Sequence, residues 1–181
     1  MTEYSDQQLI NSLQNGDDRA MDVLFRRYYS YICRAVFRVL KDSNLAEDIA
    51  QEVFLGLWKK RDNLNITTSV QAYLKRAAIN KSLNYIRDQK IKFDDEEKMP
   101  PLPNNQSTTQ QQLEAEDLQQ QINQAISELP EKCRLVFTLS RFEEMSYQEI
   151  ADQLNISKKT VENQISKALK YLRAAVKGTM Q

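Results

Sequence analysis

The sequence has no histidine at all, only three glycines and four prolines among 181 residues, and two cysteines. Each scarcity excludes something. Without histidine there is no imidazole to act as general base, to complete a nucleophilic triad, or to ligate zinc or iron. With so few turn formers, an all-β sandwich or barrel is excluded and helices are favoured. Cys33 and Cys133 stand far apart in the chain, too few for a disulfide framework or a Cys-rich metal site, and they suit a reducing cytoplasm. No apolar run approaches the roughly 20 residues of a membrane span. The start, Met1-Thr2-Glu3-Tyr4, lacks the basic-plus-apolar pattern of a secretory signal. Nothing points to a cofactor, a metal or a small-molecule substrate: no Gly-rich phosphate loop, convergent carboxylate pair or activated nucleophile is visible. A non-enzymatic protein is expected.

What is present is charge, and it is segregated. The formal net charge is zero, from 25 basic and 25 acidic residues. Yet residues 70–92 hold six basic side chains against Asp88, and residues 155–181 hold six against Glu162, while residues 93–154 carry four basic and thirteen acidic. Two local cationic patches suggest two contacts with a polyanion, or the solvated faces of two helices.

Apolar spacing of three and four defines the helices. Asp17 and Asp18 precede Met21, Leu24, Phe25, Tyr28, Ile32, Val36 and Val39, a long amphipathic helix. Asp42-Ser43-Asn44 offers caps for a second helix with Ala46, Ile49, Ala50, Val53, Phe54 and Leu57 inward. A third runs from about Val70 to Lys90, and a short leading helix lies around Gln7–Leu13. The pattern vanishes over 91–112, where Asp94-Asp95-Glu96-Glu97 is followed by Pro100-Pro101-Leu102-Pro103 and a polar tract. That composition reads as a flexible linker. Periodicity returns with Leu118, Ile122, Ala125, Ile126 and Leu129. Pro130 suits the first turn of a helix reaching about Phe142, and two more helices follow near Ser146–Leu154 and Lys158–Lys177. The expected fold is all-α: two small helical domains, residues 1–90 and 113–178, joined by the linker 91–112.

The most specific local signal is Ser146 through Ile165. Ser146 and Glu149 match a capping box, Asn155-Ile156-Ser157 forms a tight connector, and small Ala151 permits a close helix crossing. Together these describe a helix-turn-helix. Val161, Ile165, Ala168 and Leu172 form the inner stripe of its second helix. Lys158, Lys159, Glu162, Asn163, Gln164, Ser166 and Lys167 are then expected outward, on the half that enters a major groove in this motif. Asn and Gln pair with adenine, Lys with guanine and Glu with cytosine.

In the N-terminal part, Asp48, Gln51, Glu52, Leu55 and Trp58 recur on a side of their helix away from the core stripe. Two carboxylates beside a Leu and a Trp fit a protein-docking face; a solvated acidic face with Trp58 in the core is the plain alternative. The polar loop 62–69 leads into a helix mixing Tyr73, Lys75, Arg76, Asn80, Lys81, Tyr85 and Arg87. Aromatics with cations and an amide suit single-stranded DNA, although Tyr73 fits a core position better than a stacking platform.

These residues resemble a bacterial RNA polymerase sigma factor of the extracytoplasmic-function group of the sigma-70 family. The resemblance rests on Ala46-Glu47-Asp48-Ile49-Ala50-Gln51-Glu52-Val53-Phe54 with Leu57-Trp58, on Tyr73-Leu74-Lys75-Arg76-Ala77-Ala78-Ile79-Asn80, on Leu129-Pro130-Glu131, and on the helix-turn-helix. It implies that residues 1–90 are region two, with Asp48, Gln51, Glu52, Leu55 and Trp58 docking on the clamp of the polymerase's largest subunit. Asn63, Asn65, Thr67, Thr68, Lys75, Arg76, Asn80, Lys81 and Arg87 would then hold unpaired bases of the −10 element. Residues 113–178 would be region four, near the polymerase flap, with Lys158, Lys159, Thr160, Glu162, Asn163, Gln164, Ser166 and Lys167 reading the −35 duplex. The implied partners are core polymerase and promoter DNA; the group is also commonly held inactive by an anti-sigma protein, which no residue here identifies. One departure is Glu162 after Thr160-Val161, where many relatives carry Arg, so no particular −35 sequence carries over.

A stand-alone helix-turn-helix regulator is the alternative; it needs a dimer interface or sensor pocket, and neither is evident. A purely protein-binding helical adaptor is a third class. Chain length favours the polymerase reading. Fully extended, the 22-residue linker reaches about 70 Å; as a relaxed coil it spans about 25 Å. Two DNA contacts more than a helical turn apart therefore need something to stretch it. A neutral chain also binds DNA weakly unaided, because affinity depends on phosphates neutralised.

Overall fold

The computed structural model describes residues 4–89, 98–102 and 115–177. Eight α-helices lie among them: α1 (Asp6–Gln14), α2 (Asp18–Leu40), α3 (Ser43–Lys59), α4 (Val70–Asp88), α5 (Ala115–Glu128), α6 (Glu131–Arg141), α7 (Tyr147–Leu154) and α8 (Lys158–Lys177). The all-α expectation holds, and there are no strands among the described residues. The chain divides into two compact units, Met1–Lys90 and Ile91–Gln181.

In the first unit, side-chain caps set the helix starts. Ser5 and Gln8 form a capping box on α1, Asp17 accepts from the Arg19 amide, Asp42 from Leu45, and Ser69 from Ala72. Such caps satisfy amides that the first turn leaves without partners. Lys41 turns the chain between α2 and α3 in the left-handed region, at φ 57°. Leu13, Leu24, Ile32, Val36, Ala50, Leu57, Leu74 and Ala78 are sealed in one core shared by α1–α4. A polar clip fastens α1 to α2: the Arg27 guanidinium donates to Asp6 Oδ1 at 2.7 Å and the Tyr28 hydroxyl to Oδ2 at 2.5 Å. Phe25 departs from the predicted inner stripe. It is 36% exposed, its ring stacked on Tyr29 at 4.5 Å and edge-on to Phe54 at 5.0 Å. Phe25 and Tyr29 thus lie at the border of the core, against buried Phe54.

In the second unit, Leu129, Val136, Leu139, Ile150, Val161 and Ala168 form the sealed centre. Pro130 is the N-cap of α6 rather than a first-turn residue, so the helix starts one position later than the proline suggests. The Tyr171 hydroxyl donates to Glu128 Oε2 at 2.7 Å and ties α8 to α5. Burial and that bond push the Tyr171 hydroxyl up to about 12. The predicted linker lies largely outside the described residues. Its described part brings Met99, Pro100 and Leu102 beside Lys167, Lys170 and Tyr171 of α8, where together they line a hollow of about 210 Å³.

Candidate polymerase and nucleic-acid interfaces

The helix-turn-helix forms as its sequence dictates. Ser146 Oγ accepts from the Glu149 amide while Glu149 Oε2 accepts from the Ser146 amide, the reciprocal pair of a capping box. Asn155 ends α7 in the left-handed region, at φ 54° and ψ 48°, which Asn tolerates better than most residues. The Ile156 amide then donates to the Ala151 carbonyl at 3.0 Å, closing the turn. Ser157 Oγ accepts from the Thr160 amide at 2.9 Å and starts α8. Buried Ala151 lets α7 and α8 pack closely.

On α8, Lys158, Lys159, Asn163 and Ser166 are exposed, whereas Thr160, Glu162 and Lys167 are half-buried. Helical spacing aligns Lys159, Asn163, Ser166 and Lys170 on one stripe. Lys159 Nζ sits 3.4 Å from Glu162 Oε2, so Glu162 offsets part of the local positive charge. The Thr160 hydroxyl is 2.8 Å from Ser157 Oγ and serves the helix cap.

Gln164 requires a correction. It is 2% exposed and lies on the inner stripe with Val161, Ile165, Ala168 and Tyr171, not outward. Its carbonyl accepts from the Cys133 thiol at 3.3 Å. Position 164 lies three after Val161 and four before Ala168, which places any side chain there on the core side. Tyr171, rather than half-buried Leu172, completes that stripe.

In the first unit, α3 turns Ile49, Val53 and Phe54 inward and leaves Asp48, Gln51, Glu52 and Leu55 in solvent, Leu55 at 49% exposure. Burial raises the Tyr29 hydroxyl above its ordinary value, against a smaller lowering by its hydrogen bond with Gln51. Trp58 is half-buried against the core. The Arg61 guanidinium lies 4.2 Å from its ring centroid and also donates to the Trp58 carbonyl at 3.0 Å. Arg61 was not among the residues singled out from sequence; a cation three positions past a helix-end Trp was the available signal.

Arg61–Asn63 form a single 3-10 turn where sequence reading expected only loop. Asn63, Asn65, Thr67 and Thr68 are exposed, and Gln14 Nε2 anchors the loop by donating to the Leu64 carbonyl at 2.9 Å. On α4, helical spacing gathers exposed Arg76, Asn80 and Arg87 on one stripe, with Arg87 donating to Asn84. Tyr73 packs against the core and Tyr85 is 39% exposed. Lys75 and Lys81 flank the stripe on opposite sides, and Lys81 Nζ is ion-paired with Glu52 of α3 at 2.9 Å.

Comparison with known proteins agrees with this organisation. Residues 24–91 match the family model for Sigma-70 region 2, and residues 119–172 match that for Sigma-70 region 4. The RNA polymerase sigma-H factor of Pseudomonas aeruginosa is 29% identical over 186 residues, covering 97% of this chain and 96% of its own. The ECF RNA polymerase sigma-E factor of Escherichia coli strain K12 is 27% identical, covering 92% and 91%. A solved structure of CnrH in complex with the cytosolic domain of CnrY aligns over 95% of this chain at 22% identity and a TM-score of 0.49. With region 2 and region 4 models matching in order and together spanning most of the chain, the chain belongs to the sigma-70 family of RNA polymerase sigma factors.

Proposed function

We propose that this sigma factor divides promoter recognition between its two units, with residues 1–90 as the core-binding and −10 module, 91–112 as the tether and 113–178 as the −35 module. Asp48, Gln51, Glu52 and Leu55 dock on the clamp of the largest polymerase subunit, and Trp58 with Arg61 stiffens the end of that surface. Asn63, Asn65, Thr67 and Thr68 take unpaired −10 bases, while Arg76, Asn80 and Arg87, flanked by Lys75 and Lys81, hold their strand. Lys158, Lys159, Asn163, Ser166 and Lys167 meet the −35 duplex, with Glu162 restricting which bases are accepted and Thr160 setting the start of the helix. The observation that carries this reading is the exposed stripe Lys159–Asn163–Ser166 behind a doubly capped turn.

The chain makes and breaks no bond in this scheme. Polymerase spaces the modules, the C-terminal helix anchors duplex, and the N-terminal module selects the opened strand by binding it. Burial raises the Cys33 thiol above its ordinary value. Action alongside polymerase places the protein in the cytoplasm, and among the described residues no helix is long and apolar enough to cross a membrane. An anti-sigma protein is the inhibitor class to seek by co-purification.

The test is a pair of variants on one promoter. Asp48→Ala/Gln51→Ala weakens core-polymerase binding tenfold or more, about 1.4 kcal/mol or above, more than most single interface truncations cost. Lys158→Ala/Asn163→Ala leaves core binding intact and removes promoter selection. Unchanged promoter selection in the second variant overturns the assignment of α8. Tight sequence-specific duplex binding by the chain without polymerase favours the stand-alone regulator instead.

A further inference from the structure

One ion pair joins the two faces that the proposed function keeps separate. Glu52 belongs to the exposed side of α3 with Asp48 and Leu55, and Lys81 follows Asn80 on α4. Glu52 Oε2 and Lys81 Nζ are 2.9 Å apart, with the side chains 60% and 41% exposed. Neither is locked in the interior, so either can exchange its partner. While paired, Lys81 offers little net charge to a phosphate, and the Glu52 carboxylate repels a phosphate arriving at that spot.

We propose that Glu52 is a positioning residue that withholds Lys81 from DNA until polymerase docks. A cationic group of the polymerase that engages Glu52 takes it from Lys81, and the released ammonium then binds a phosphate of the opened strand. The coupling is reciprocal: DNA on Lys81 leaves Glu52 free for polymerase by the same factor. Exposed pairs are weak, so the gate works in small steps, up to about fivefold. That scale suits a bias against DNA in the free chain that docking removes. The inference rests on the proposed reading of both faces.

The experiment measures anisotropy of a fluorescein-labelled single-stranded DNA oligonucleotide of mixed sequence, across a salt series. The full chain is used, alone and saturated with core polymerase. Each phosphate contact on a single strand contributes about 0.7 to the slope of log affinity against log salt. Glu52→Gln in the free chain is expected to steepen the slope by about 0.7 and tighten binding up to about fivefold. In the polymerase complex, Lys81→Gln flattens the slope by about 0.7. The double variant Glu52→Gln/Lys81→Gln shows no gain in the free chain. An equal gain in the double variant overturns the gate, because the effect is then only loss of acidic charge. An unchanged free-chain slope in Glu52→Gln, with the Lys81→Gln effect present in the complex, overturns the gate and leaves the DNA face standing. No effect of Lys81→Gln in the complex removes Lys81 from the DNA face, and the gate with it.

Discussion

The two units solve the problem of presenting a binding face differently. In the first, long helices α2, α3 and α4 share one core, and the candidate surfaces are built from side chains that reach across helices: Glu52 to Lys81, Gln51 beside Tyr29, Gln14 to the loop at Leu64. In the second, α7 is eight residues long, and the face depends on backbone geometry fixed by Ser146, Asn155 and Ser157. The difference teaches where each is vulnerable. A surface substitution in the first unit rewires a contact, whereas loss of a cap in the second weakens the turn that leads into α8.

The largest expected effect breaks the first core alone. Leu24→Ala removes a fully buried side chain and is expected to cost about 2–5 kcal/mol. Denaturant unfolding followed at Trp58, the single tryptophan, reads the loss, while nuclear magnetic resonance signals of α7 and α8 stay in place. If those signals move as well, the units are not independent in stability.

Next is the cap. Ser146→Ala removes the side chain that accepts the Glu149 amide and is expected to cost about 1 kcal/mol. Its effect on −35 duplex capture by the polymerase complex should exceed its effect on core binding. Equal loss of both contradicts the idea that the cap supports the turn into α8.

The Tyr171–Glu128 bond sharpens the comparison through pH. A tyrosine hydroxyl raised to about 12 from its ordinary 10 favours the folded state while neutral. That contribution is fully present below pH 10 and is lost as pH rises through 12. Hydrogen bonds from Tyr171 and Gln124 lower the Glu128 carboxyl, so its own contribution is present above 4.5 and is lost as pH falls through the lowered value. Tyr171→Phe is expected to cost about 1 kcal/mol at neutral pH and to flatten the alkaline limb of second-unit stability. An unchanged alkaline limb speaks against the bond.

The smallest effect is the most local. Asn80→Ala should slow promoter opening by a factor of about 2–10, the loss of one or two modest hydrogen bonds, and barely alter duplex capture. Permanganate footprinting of unpaired thymines against gel-shift capture separates the two. Equal loss of both counts against a base-holding role.

Helix positions were legible wherever apolar spacing and a cap coincided. Lys158–Lys177 is found as read, and so are the Ser146–Glu149 box and the Ser157 cap. Gln164 is polar and its type suggests an outward position, yet its spacing from Val161 and Ala168 puts it inside. Phe25 fell on the inner stripe by spacing, yet Tyr29 and Phe54 hold its ring at the border. The Glu52–Lys81 pair was not legible at all: the two residues are 29 positions apart, and only the packing of α3 on α4 brings them together.

The central claim is that polymerase turns two weak readers into one promoter reader. Run-off transcription on a randomised promoter library tests it, with purified core polymerase and this chain, and with a sigma factor of established specificity as control. Transcripts are expected to share two short motifs at a fixed spacing, and to vanish when core polymerase or the chain is omitted. Starts without any shared motif, or none at all while the control initiates, would contradict it.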